Sequence, residues 1–459
     1  MEDQELVVCS EDCNLVTDLY QLTMTACYVA EELDQKWASF ELFTRSLPKN
    51  FGYLIAMGLA QALEYLDKFH FSTAQIESLQ STGIFNNVPK RFWSLLSGAR
   101  FSGNVWAVPE GTAIFANEPL LRIEAPLWQA FFFGTYLLNT LNYQTLIATK
   151  AARIRDAAGP EVKLLEGGTR RAFGPQASVW AARAALAAGF DSTSNVLAAL
   201  KLGRQPSGSI AHAFIMASAA MEGSEAQAFM ISNSLFPDAS LVLDTYDTVT
   251  AANNLADMVR TRKVELQGVR LDSGNLTALS QQVRSLLPPE VLIFASGDLD
   301  EWAITKLRNN GACIDGYSVG TQLVTGYAMN GVYKIVEVEG IPIMKHSSGK
   351  VNYPGRKQIF RRFEHQKIQG DRLGLITEAP QQDEQALMQL MFKQGQRLHL
   401  PETLEKIFER TAQSVASLTT EVRQIDQPIP IQPQISIELQ NLTKQAHEAV
   451  PLQQFALLQ

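Results

Sequence analysis

VKLLEGGTRRAFGPQASVWAARAALAAGFDSTS (162–194) decides the fold. It opens on a short apolar run that meets charge and glycine at Glu166, Gly167 and Gly168. It continues through a stretch of helical composition, with Pro175 suited to a first turn and Gly189 suited to a position just past a helix end. A second short run, FDSTS, follows. The order is strand, polar edge, helix, strand. Working outward, the same order recurs. SLVLDTYD (240–247) leads into TVTAANNLADMVR, and GVRLDSG (268–274) leads into NLTALSQQVRSLL. EVLIFASGD (290–298) leads into LDEWAITKLRNNG, and CIDGYSVGT (313–321) closes the series. Strand–helix alternation implies a parallel sheet, and this many units predicts an irregular, closed or partly closed β/α barrel.

The flanks have another texture. WASFELFTR alternates like a strand, GYLIAMGLAQALEYLDKF has helical spacing, and NVWAVPEGTAIFANEPLLRIEA reads as short strands broken at turns. VYKIVEVEGIPIMKHSSGKV reads as antiparallel strands with turns at Glu339–Gly340 and Ser348–Gly349, followed by a helical, Gln-rich tail. QPIPIQP (427–433) is a Pro-punctuated link. The expected organisation is an N-terminal α/β domain over 1–120, a barrel-like catalytic domain over 121–330, and a C-terminal segment over 331–459 that packs with the N-terminal domain.

Bulk properties narrow the function. The 459 residues carry 19% charged and 46% hydrophobic side chains and a formal net charge of −8, which argues against a basic nucleic-acid-binding surface. An anionic substrate therefore needs a local cluster of Arg and Lys. APLWQAFFFGTYLL (125–138) is interrupted by Gln129, Gly134 and Thr135 and reads as a buried helix, not a membrane span. The acidic N-terminus has no apolar signal core. Four sparse cysteines without C-x-x-C spacing point to reduced thiols in the cytoplasm and away from a zinc site.

In β/α folds the reactive groups gather at the C-terminal ends of strands. Those ends here supply Glu166, Arg170 and Arg171, Asp191, Asp244, Arg270 and Asp272, Ser296-Gly297-Asp298, and Gly320-Thr321. The two glycine turns suit close approach of backbone N–H groups to a phosphate; the plainer reading is a tight βα turn. Paired guanidinium groups at Arg170 and Arg171 suit phosphate or carboxylate, or are solvated loop charges. Arg270 and Asp272 are two apart and share a strand face, which allows substrate contacts or a mutual salt bridge. Asp191 and Asp244 are also placed to cap helices. In GSIAHAFIMA (208–217), His212 is either a hydrogen-bonded core histidine or a nucleophile in a shielded pocket; Asp244 could accept its N–H and set its tautomer.

Together these stretches resemble the nicotinate phosphoribosyltransferase family. The resemblance rests on TDLYQLTM, ASFELFTRSLP, PEGTAIFANEPLLRIEAPL, EGGTRRAFGPQA, GFDSTSNVLAA, GSIAHAFIM, GVRLDSGNL, ASGDLDE, YSVGTQLVT, GVYKIVEV and Pro354-Gly355-Arg356-Lys357, which span most of residues 15–360. It implies that nicotinate attacks the anomeric carbon of 5-phosphoribosyl 1-pyrophosphate, giving nicotinate mononucleotide and pyrophosphate for NAD salvage. It implies ATP as a co-substrate acting through a phosphohistidine at His212, Mg²⁺ bound with pyrophosphate, and a homodimer. By motif, Ser209 and Arg270 bind nicotinate, and Tyr20 contacts its ring in the neighbouring subunit's site. Gly320 and Thr321 bind the phosphoribosyl donor, assisted by Arg170, Gly297 and Asp272, while Asp244 orients His212. The alternatives are a nicotinamide-using relative and a non-catalytic nucleotide-sensing homologue.

Three positions depart from the pattern that the resemblance implies. Ser209 stands where Thr is expected, and keeps the hydroxyl. Asn275 stands where Asp is expected, which weakens a metal contact or changes a helix cap. Gly167 stands where Phe is expected, so one stacking face for the ring is missing or another aromatic fills the space. Calorimetric titration with nicotinate checks the last point: Gly167→Phe is expected to bind more tightly than wild type, and unchanged affinity counts against a missing wall.

Overall fold

The computed structural model describes residues 6–345 and 352–456. The chain divides into two compact units. One comprises Met1–Leu146, Ala328–Thr403 and Gln413–Gln459; the other comprises Ile147–Tyr327 and Leu404–Ala412. Residues 121–146, which the sequence grouped with the barrel, thus lie in the first unit, and 404–412 lie in the second. The reason is pairing: the strand Pro119–Pro126 lies between Trp37–Thr44 and Asn104–Ala107 and is committed to their sheet.

The first unit is built on a seven-stranded antiparallel sheet. Its order is Ile341–Pro342, Gly331–Val338, Trp37–Thr44, Pro119–Pro126, Asn104–Ala107, Gln389–Lys393 and Gln396–Arg397. Trp37–Thr44 is buried along all but its first residue. Its polar member Glu41 is fully enclosed, which requires partners. Lys357 supplies its ammonium at 2.9 Å and its backbone N–H at 2.9 Å. Burial depresses the affinity of that lysine for its proton, and Glu41 opposes the shift.

The helical, Gln-rich tail expected after residue 351 is a correction. The chain instead forms a second sheet, ordered Glu384–Ala386, Lys357–Glu364, Lys367–Leu375 and Gln434–Ile435, whose last-named strand lies in sequence between the helices Leu404–Ser417 and Ile437–Ala456. Its hairpin turns at His365–Gln366, both with positive φ (48° and 63°). Such a turn normally announces itself as Asn-Gly or Asp-Gly, and here that signal is missing. The Glu339–Gly340 turn is present, with both residues left-handed; Ser348–Gly349 lies outside the described residues.

The second unit carries six parallel strands, in the order Ser192–Thr193, Lys163–Glu166, Gly316–Val319, Leu292–Ala295, Gly268–Leu271 and Leu241–Val242. Two further contacts close the circuit. Ser209 makes a parallel bridge with Ser240, and the N–H of Ser207 bonds to the carbonyl of Thr193 (2.9 Å). The segment 207–209 therefore acts as a seventh, minimal stave, and the unit is an irregular β/α barrel. Helix Pro175–Ala187 buries a run of alanines, whose small side chains let it pack closely.

Strands this short need anchoring at their N-terminal ends, and the same device does it twice. Arg155 donates to the carbonyl of Val162, seven residues on, and to Asp191 (2.6 Å), which also accepts the N–H of Leu164 (2.7 Å). Arg284 donates to the carbonyl of Val291, also seven residues on, and to Asp315 (2.5 Å), which accepts the N–H of Ile293 (2.8 Å). Asp191 is thus neither at the reactive end of its strand nor a helix cap. Asn195 caps the helix Val196–Lys201, accepting from Ala198 N–H (3.0 Å).

Removing one of these carboxylates strands a backbone N–H and a guanidinium. Asp191→Ala and Asp315→Ala are each expected to lower unfolding free energy by about 1–3 kcal/mol, read from urea unfolding. No change in either variant would show that the ladders alone hold these strands.

Candidate active site

Except for Tyr20, the polar residues of the site belong to the second unit, and several lie at the C-terminal ends of its strands. Asp244 lies two residues beyond Leu241–Val242, and Asp272 directly follows Gly268–Leu271. Their side chains cross-link neighbouring ends. Oδ2 of Asp244 accepts the N–H of Asp272 (3.1 Å) and the hydroxyl of Ser273 (2.5 Å). Oδ1 of Asp272 accepts the hydroxyl of Ser296. One oxygen of each carboxylate is left over.

His212 stands where those two oxygens meet. It is the first residue of the helix His212–Glu222, and its side chain is 34% exposed, so it is not a core histidine. Its Nε2 lies 3.9 Å from Oδ1 of Asp244 and 3.9 Å from Oδ2 of Asp272. Its Nδ1 lies 3.0 Å from the hydroxyl of Thr245. The orienting hydrogen bond therefore comes from Thr245, not from Asp244 as the sequence suggested. Asp244 is close enough to act electrostatically and too far for a hydrogen bond. Thr245 escaped sequence reading because threonine beside an aspartate at a strand end is an ordinary turn residue.

Two buried polar atoms at these strand ends lack hydrogen-bond partners among the described residues: Oδ1 of Asp244 and Nε of Arg270. Buried polar atoms are nearly always satisfied, so unpaired ones at a strand rim mark groups held ready for a ligand. No ion pair joins Arg270 to Asp272 among the described residues; Asp272 is engaged by Ser296 and faces His212.

The two glycine turns differ in shape. Gly297 (φ 94°) and Asp298 (φ 49°) are consecutive left-handed residues, an arrangement that turns successive N–H groups toward one point. A Cβ at Gly297 would lie 2.3 Å from the carbonyl oxygen of Asp272, so only glycine fits. Gly320 caps the one-turn helix Thr321–Val324. Glu166 is buried and ties its own turn, accepting from Gly168 N–H (2.5 Å) and Thr193 (2.5 Å); burial raises its pKa. Arg170 and Arg171 are exposed on the loop that follows. Ser209 is half-buried on the minimal stave, its hydroxyl reaching the carbonyl of Ile210 at 3.4 Å. Gly167 has space limited by Ser318, whose hydroxyl oxygen would be 3.0 Å from an added Cβ. Asn275 is a helix cap, accepting from Ala278 N–H (3.2 Å). Tyr20 is in the other unit, on the helix Leu19–Ala30, and is 51% exposed.

Among the described residues no group of three or more His, Cys, Asp or Glu side chains forms a metal cage, and no helix is long and apolar enough to cross a membrane. The arrangement offers a half-open imidazole, two carboxylates, an unpaired guanidinium nitrogen and two glycine turns. It is suited to transfer of phosphoryl or phosphate-bearing groups.

Known proteins carry the same organisation. Residues 15–142 match the nicotinate phosphoribosyltransferase (NAPRTase) N-terminal domain, and residues 162–296 match the NAPRTase family. A nicotinate phosphoribosyltransferase of Mycobacterium tuberculosis is 38% identical over 453 residues, covering 94% of this chain and 95% of its own. That of Bacillus subtilis is 38% identical over 388 residues, covering 80% and 77%. The crystal structure of human nicotinic acid phosphoribosyltransferase superposes with a TM-score of 0.82 at 29% identity, covering 94% of this chain and 99% of that one. A nicotinate-nucleotide pyrophosphorylase from Pyrococcus furiosus shares the fold, with a TM-score of 0.73 at 23% identity over 90% and 98% of the two chains.

The two glycines Gly297 and Gly208 make a controlled pair, because a Cβ at Gly208 meets open space. Gly297→Ala is expected to lose about 1–3 kcal/mol of stability, and Gly208→Ala less than about 0.5 kcal/mol, by urea unfolding. Equal effects would mean that the turn at Gly297 relaxes freely.

Proposed function

The chain belongs to the nicotinate phosphoribosyltransferase family, and from that membership we propose that it makes nicotinate mononucleotide with help from ATP. The pyridine nitrogen of nicotinate forms a bond to the anomeric carbon of 5-phosphoribosyl 1-pyrophosphate. The bond from that carbon to the pyrophosphate oxygen breaks, and pyrophosphate leaves. Separately, His212 takes the terminal phosphoryl of ATP, releasing ADP, and water later discharges it as phosphate. The observation that carries this reading is the half-open His212 ring set between Asp244 and Asp272 at the strand rim.

The residues divide the work. Arg270, with its buried unpaired Nε, reads the carboxylate of nicotinate, assisted by the Ser209 hydroxyl. The turns at Gly297 and at Gly320–Thr321 hold the phosphates of the donor, and Arg170 reaches them from its exposed loop. Asp272 lies beside the anomeric centre, where negative charge favours an oxocarbenium-like transition state. A neutral imidazole has one N–H, and two carboxylates beside Nε2 keep the proton there. The lone pair is then on Nδ1, which accepts the phosphoryl group. Asp244 steadies the charge that the ring gains.

Mg²⁺ suits this donor set. It keeps several waters and binds through one or two carboxylates plus phosphate, so it needs no protein cage; Asp244 and Asp272 each retain one oxygen for it. When bound it would neutralise charge on the departing pyrophosphate. Tyr20, exposed on the first unit, is the residue that a second copy contributes, so the reading includes a homodimer. Four free cysteines fit a reducing cytoplasm.

Incubation with ATP labelled at its terminal phosphate tests the mechanism. Wild type is expected to take up acid-labile label, and His212→Ala none; equal labelling of both, or acid-stable label, rejects the phosphohistidine. Arg270→Met is expected to raise KM for nicotinate about 10- to 100-fold, the loss of a charge-assisted contact. Competition with nicotinamide reads the same preference, and equal use of both bases rejects the role given to Arg270.

A further inference from the structure

The Thr245 hydroxyl lies 3.0 Å from Nδ1 of His212, and it is the hydrogen bond that the ring makes among the described residues. The leftover carboxylate oxygens, Oδ1 of Asp244 and Oδ2 of Asp272, lie at the opposite nitrogen, each 3.9 Å from Nε2. Asp244 and Thr245 are consecutive, so one short segment after Leu241–Val242 addresses both nitrogens of one ring. That segment is itself held. Asp244 is tied by Ser273 and by the N–H of Asp272, and Asp247 caps the next helix through Thr250 N–H (2.8 Å).

With the ring proton on Nε2, the Nδ1 lone pair can only accept, so the threonine hydroxyl must be the donor. We infer that Thr245 is a positioning residue for His212, fixing the tautomer and the ring plane so that Nδ1 meets the terminal phosphoryl of ATP. The inference rests on the phosphohistidine reading above. When the Nδ1–phosphorus bond forms, the bond from that phosphorus to the ADP oxygen breaks. Nε2 keeps its proton beside the two carboxylates. The Thr245 hydroxyl turns from the nitrogen to a phosphoryl oxygen and donates to it. The hydroxyl thus serves the ring before and after transfer, and threonine does so without carrying a charge that would repel ATP.

Two full-length variants test it. Thr245→Val keeps the shape and removes the donor; Thr245→Ser keeps the donor. In rapid-quench labelling with ATP, Thr245→Val is expected to form phosphoenzyme about 10- to 100-fold more slowly, while Thr245→Ser stays within about threefold of wild type. The melting temperature is expected to be unchanged in both. Labelling of Thr245→Val at the wild-type rate overturns the inference and leaves the phosphohistidine standing. Serine as slow as valine overturns it too, because the methyl group would then be what matters. Wild type that takes no label overturns both.

Discussion

Strands of two to four residues cannot hold a ring together with ladder bonds alone, and the second unit depends on how side chains make up the difference. At the N-terminal ends, Arg155 with Asp191 and Arg284 with Asp315 stitch a helix, a strand and the next strand together. At the C-terminal ends, Asp244 with Ser273 and Asp272 with Ser296 do the same with carboxylates and hydroxyls. The first set spends its bonds on guanidinium groups and strand N–H groups. The second spends one oxygen of each acid on a neighbouring hydroxyl and turns the other toward one imidazole, and that difference separates the structural end of the ring from the chemical end.

The leftover groups explain why the site is assembled from several strands. A carboxylate that spends one oxygen on a neighbouring hydroxyl is fixed in direction, so its other oxygen is aimed without needing a second partner of its own. Asp244 and Asp272 aim at one imidazole in this way, from adjacent strands. Gly297 allows the strand end beside them to come close, because any side chain there would run into the carbonyl of Asp272. Preorganisation of this sort is what group transfer requires, since the dipoles stand in place before the charge moves.

Much of this was legible in the order of residues. The repeated strand, polar edge and helix announced the parallel ring, and Gly297, Gly320, Asp244, Arg270 and Asp272 fell at strand ends because a parallel sheet leaves reactive groups there. Three readings failed for local reasons. Asp191 looked like one more polar strand end, but it precedes its strand and pairs with Arg155. The Gln-rich tail looked helical, but its hairpin turns through left-handed His365 and Gln366, residues that carry no turn signal. The N-terminal boundary was set too early, since Pro119–Pro126 is an inner strand of the first sheet.

Sequence by itself determined the architecture and the inventory of chemical groups, because hydrophobic periodicity and glycine placement act over a few residues and are written locally. It also carried the family, through many short motifs in one order. Tertiary structure alone decided which groups meet. That Thr245 and not Asp244 bonds the imidazole, that Asp244 and Asp272 stand equally far from Nε2, and that segment 207–209 closes the ring are outcomes of packing between residues tens of positions apart. Hydrogen bonds form or fail over tenths of an ångström, and no local pattern of residues fixes a distance to that tolerance.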